Sequence, residues 1–99
     1  MKIRVDYEIP DGVISDAILN GLECGIVRWC DEYEDVGGAI LLTTVRGEEH
    51  ALTREKIKEG IRVLATKYPY HFNDLIRRAG DSDTSDALIQ CALFGKEVY

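Results

Sequence analysis

The sequence predicts an α+β domain, a small antiparallel sheet of three to four strands packed against α-helices in the order β-α-β-β-α-α-α-β. Two observations carry that expectation. The spacing of apolar residues changes along the chain between the two-residue period of strands and the three-four period of amphipathic helices. Turn and breaker signals, notably Pro10-Asp11-Gly12, Gly37-Gly38 and Pro69, separate several of these segments. With 99 residues there is material for one modest core, so residues 1–99 are read as a single domain.

Ile3, Val5, Tyr7 and Ile9 alternate with charged residues, the pattern of a strand with one buried face. From Ile14 the apolar positions move to helical spacing through Ala17, Ile18, Leu22, Ile26 and Trp29, which predicts a helix over residues 14–30 with Ser15 or Asp11 as its cap. Gly21 and Gly25 fall on the same stripe, a sign that another element approaches closely. The run DEYEDVGG that follows reads as a solvated acidic connector. AILLTTV reads as a central strand, apolar on both faces at its start, and HALT as its hairpin partner.

Thr53 is the expected N-cap of a second helix over residues 54–68, with Ile57, Ile61, Leu64, Ala65 and Tyr68 facing inward. Phe72, Leu75, Ile76 and Ala79 suit a third, shorter helix closed by Gly80. In DSDTSDALIQCALFG, the residue types at Asp81–Thr84 all favour a helix start, Ala87, Leu88, Cys91 and Ala92 form an apolar face, and Gly95 suits the stop. Lys96–Tyr99 is expected to add a short edge strand.

Composition narrows the function classes. Apolar residues make up 45% and charged residues 30%, an ordinary balance for a folded domain. The formal net charge is −6, and residues 1–50 hold nearly all of the imbalance, with four Lys/Arg against eleven Asp/Glu. Direct nucleic-acid binding calls for a clustered positive surface, so the charge argues against it and points to a basic protein partner. Cys24, Cys30 and Cys91 form no C-x-x-C pair and read as buried thiols in a reducing compartment. No apolar run is long enough for a spanning helix and no signal-peptide pattern opens the chain, so a cytoplasmic location is expected, with no membrane contact.

Asp81, Asp83 and Asp86 invite comparison with a calcium loop. Gly would be needed where Asp86 stands and Glu where Ala92 stands, so the three carboxylates are read as helix-start residues. His50 and His71 fit no zinc-binding spacing, and the sequence contains no P-loop, dinucleotide or nucleophile-elbow motif. No cofactor, metal site or catalytic residue is expected. The candidate protein-binding residues are Asp31, Glu32, Glu34 and Asp35 with Tyr33 as an anchor between them, joined by Asp16 and Glu23 on the outer side of the first helix. Such a ridge can steer toward a basic groove and compete there with a phosphate backbone.

The C-terminal stretch DSDTSDALIQCALFGKEVY resembles the end of small bacteriophage and prophage proteins of unassigned function. EEHALTREKIKEGIRVL is similar to their middle and ISDAILNGLECGIVRW to their first helix. The resemblance implies a phage-derived, non-enzymatic inhibitor of the anti-CRISPR or anti-restriction type, whose partner would be a host defence protein such as a CRISPR effector or a nuclease. The alternative expectation is a small phage adaptor or regulatory module that meets a protein or nucleic acid through the basic face Arg54, Lys58, Arg62 and Lys67 of the second helix. An enzyme with a cysteine or carboxylate centre is a third. Pairing of two copies as a homodimer across an uncovered sheet edge is open as well.

Overall fold

The computed structural model describes residues 9–99. The strand expected over Ile3–Ile9 lies, except for Ile9, outside the described residues. Helix α1 runs from Asp11 to Asn20, and Pro10 precedes it without any side-chain cap, so neither Asp11 nor Ser15 has the capping role expected of it. The helix also stops short of residue 30. It widens into a π-helical turn over Gly21–Gly25, and the chain then turns out of the helix at Ile26, where φ is −95° and ψ 0°. The two glycines explain the geometry: a Cβ at Gly21 would lie 2.5 Å from Ile89 Cδ1, and one at Gly25 would lie 2.6 Å from the Ser82 carbonyl oxygen. The stripe does meet another element at close range, and that element is the last helix.

Three antiparallel strands follow among the described residues, β1 at Cys30–Asp35, β2 at Ala39–Thr44 and β3 at Glu49–Thr53, in the order β1-β2-β3. The acidic run is therefore a strand, not a connector. Glu32 to Asp35 pair residue by residue with Thr43 to Ile40, and a bulge at Asp31 shifts the register beside Cys30. Gly37 and Gly38, with φ of +77° and +84°, form a two-residue hairpin turn, and Asp35 Oδ1 accepts the Gly37 N–H at 3.0 Å. AILLTT takes the central place, as its apolar start predicts, and EHALT returns beside it.

Thr53 caps α2, Arg54–Lys67, by accepting the Lys56 N–H at 3.2 Å. Pro69 ends that segment by opening the next, α3, Pro69–Ile76. Gly80 does not close α3; the chain leaves the helix at Arg77 and Arg78, the latter in the left-handed region at φ 55°. Helix α4 spans Ser82–Phe94, with Asp81 as its cap and Gly95 in the left-handed position after its end. Every residue from Thr84 to Ala92 is buried. That makes α4 the axis of the core, packed by α1, the π turn, α2, α3 and β3, where a helix with a single apolar face was expected.

Lys96–Tyr99 forms no strand. It folds back onto α4, and the Gln90 side-chain oxygen accepts both the Val98 and the Tyr99 N–H, at 2.7 and 2.8 Å. The molecule is thus an α+β fold in which a three-stranded sheet stands beside a helical body. Contact between the two is made mainly through β3, and the face of β1 and β2 toward α1 borders an open groove.

Candidate functional site

Two regions of the fold collect carboxylates, and their surroundings differ. The first is buried. Asp86 lies about 140° around α4 from its neighbour Asp81, because five residues advance a helix by that angle. Asp81 therefore caps the helix at the surface while Asp86 turns inward. Its Oδ1 accepts the Trp29 indole N–H at 2.7 Å and the Gln90 amide at 2.9 Å, and its Oδ2 accepts Arg28 Nη2 at 2.9 Å. The Arg28 guanidinium also donates to the Tyr99 carbonyl at 2.9 Å, and the Tyr99 ring stacks on Trp29 with centroids 5.0 Å apart. Both oxygens of Asp86 are used by the protein. The cluster joins α4, the turn before β1 and the tail, which is a structural task.

The other carboxylates of the quoted run have surface roles. Asp81 accepts the Asp83 and Thr84 N–H groups, and the Thr84 bond above all holds its carboxyl below the usual aspartate range. No group of three or more metal-ligating side chains is assembled among the described residues.

Cysteine and histidine give no dyad among the described residues. Cys30 and Cys91 are buried; burial pushes the Cys30 thiol up and the Cys91 thiol up to about 11. Cys24 is exposed, against expectation, because the π turn rotates it away from α4. His71 Nδ1 lies 3.2 Å from Thr84 Oγ1, and His50 packs its ring edge-on against Phe94, 3.6 Å from Glu48.

The second region is β1. All five candidate residues, Asp31, Glu32, Tyr33, Glu34 and Asp35, are exposed, so the strand is wet on both faces and held by its pairing with β2. None of the four carboxylates forms an ion pair among the described residues. Glu23 joins them: it lines a shallow hollow with Asp31, Glu32 and Tyr33, floored by Leu22, Ile26 and Cys30. Asp16 is exposed on α1 but borders neither this hollow nor the groove on the other side.

That groove is the larger feature, about 860 Å³ between α1, the sheet and α2. Ile14, Ile18, Leu19 and Leu22 line it from α1, Ile40 and Leu52 from the sheet, and Ile57 and Ile61 from α2. Tyr33 and Asp35 stand on its β1 side and Arg54 and Lys58 on its α2 side. Leu19 and Tyr33 keep 55% and 45% of their surface exposed, enough to offer apolar contact to a partner. Sequence reasoning left Leu19 without a role; its one signal is that it stands off the apolar stripe beside Ile18.

The basic face of α2 is divided by the fold. Arg54 and Lys58 border the groove, Arg62 pairs with Glu59 at 3.3 Å, and Lys67 donates to the Gly95 carbonyl at 3.2 Å. Searches of family models, curated proteins and solved structures find nothing that matches this chain.

Proposed function

We propose that this protein acts by binding, without catalysis, and that strand β1 with the groove beside it is the binding face. The observation that carries the reading is a strand exposed on both sides, bearing four carboxylates that no cation of the described chain neutralises, next to exposed Leu19 and Tyr33. Carboxylates in that state attract a basic surface over about one Debye length, roughly 8 Å at physiological salt, and Tyr33 supplies the kind of aromatic anchor on which binding energy concentrates. The partner is a protein whose Lys/Arg surface normally meets nucleic acid. The phage resemblance supports the narrower reading of a host defence effector or nuclease held inactive by this contact.

The test is a cleavage assay with purified CRISPR effectors and restriction nucleases, with the wild-type chain and the variant D31N/E32Q/E34Q/D35N added in turn. Inhibition by the wild type that is lost in the folded variant supports the proposal. Inhibition that survives neutralisation removes β1 from the mechanism, and the absence of inhibition across the panel removes the defence-inhibitor reading.

A further inference from the structure

Strand β1 has two sides, and β2 takes only one of them. Among the described residues no hydrogen bond reaches the other side, so the outward N–H and C=O groups of the regular run Glu32–Asp35 are left for a partner. Electrostatics select the occupant. A second copy paired through the same edge would set the carboxylates of one β1 against those of the other, and like charges on facing strands repel.

The pleat defines what a newcomer would carry. Tyr33 and Asp35 point to the groove side, in register with Leu42 and Ile40, whereas Glu32 and Glu34 point to the opposite face of the sheet. A strand laid beside β1 continues this alternation. Its side chains on one face enter the groove near Tyr33 and Leu19, an apolar setting, and those on the other face meet Glu32 and Glu34.

We infer that the partner engages β1 as an added strand, an extended segment of another protein in which apolar residues alternate with Lys or Arg. The inference rests on the binding reading above and states its geometry: backbone pairing supplies the register and alternate side chains supply the selectivity. The bulge at Asp31 and the turn at Gly37-Gly38 bound the edge, so four or five residues of the partner are engaged.

The probe is a ten-residue peptide of alternating Lys and Val, titrated into the isotope-labelled full chain and followed by amide NMR shifts. A matched peptide carries the same side chains with its backbone N-methylated at alternate residues. Shifts centred on residues 31–35, with binding about tenfold weaker for the methylated peptide, are expected, since each lost backbone hydrogen bond accounts for part of such a ratio. Equal affinity of the two peptides overturns the added strand and leaves the acidic docking face standing. Shifts elsewhere, or none with either peptide, overturn both. Slow exchange of the outward β1 amides in the free monomer, or a dimer lost when β1 is neutralised, would show the edge already filled by the chain itself or by a second copy and overturn the inference.

Discussion

Asp86 and the carboxylates of β1 are the same chemistry in opposite settings. Asp86 is nearly buried, accepts three hydrogen bonds and ties together segments 57 residues apart in the chain. Asp31, Glu32, Glu34 and Asp35 are exposed on a strand that uses its backbone for structure, and among the described residues their side chains meet no cation. A carboxylate with both oxygens engaged inside the protein stabilises one conformation; one whose oxygens face water is available to a partner. Residue type alone does not separate the two, and hydrogen-bond bookkeeping does.

The contrast can be broken from the buried side first. Asp86→Ala strands the Trp29 indole and the Gln90 amide without an acceptor, and a loss of about 3–5 kcal/mol in urea unfolding is expected. Asp86→Asn keeps an oxygen for those two donors but turns an amide toward Arg28, so its loss is smaller. If both variants unfolded like wild type, Asp86 would have to be counted with the surface acids.

Next comes packing against the same helix. A Cβ at Gly60 would lie 2.7 Å from the Ala92 backbone, where α2 crosses α4. Gly60→Ala should therefore destabilise by about 1–3 kcal/mol through overpacking, even though alanine favours an exposed helix by about 1 kcal/mol. A stabilised variant would mean that the two helices separate readily.

The cap gives a pH signature. The carboxyl of Asp81 sits lower in the folded chain than in the unfolded one, so its stabilisation is complete above the unfolded value and is lost as pH falls through the folded one. The melting deficit of Asp81→Ala should accordingly be largest near neutral pH and shrink on acidification through the carboxylate range. A deficit constant with pH would show that the charge of Asp81 contributes nothing to the cap.

Smallest of all is the effect expected on β1. The variant D31N/E32Q/E34Q/D35N should melt within about 3 °C of wild type, because exposed substitutions of similar shape change little and Asp35→Asn keeps an oxygen for the Gly37 N–H. A cooperative loss of structure would assign these acids to folding and erase the contrast.

Much of the frame was legible because its signals are local. Thr53, Asp81 and Gly95 stand where caps and stops need their chemistry, and Ile40 and Leu42 mark the central strand by their own apolarity. Strand β1 escaped for a physical reason: pairing through the backbone on one side leaves no apolar alternation in CDEYED to read. The centrality of α4 was hidden in the same way, since Ser85, Asp86 and Gln90 look like an outer face until Asn20, Trp29 and the tail are placed against them. For the candidate site, the charge run and the place of Glu23 beside it were readable, but the separation of Asp16 depends on how the π turn sets α1 against the sheet.

The place of α4 in the chain has a consequence for how the protein is made. A ribosome delivers α1, the hairpins and α2 before the helix they all surround, so these pieces leave the exit tunnel with apolar faces and nothing to bury them on. The contacts of Ser82–Phe94 with α1, the π turn and β3 join segments distant in sequence, and folds rich in such contacts form more slowly than those built from local ones. Charges on an edge strand oppose unwanted pairing, and the acidic residues of β1 stand on such an edge from the moment they are synthesised.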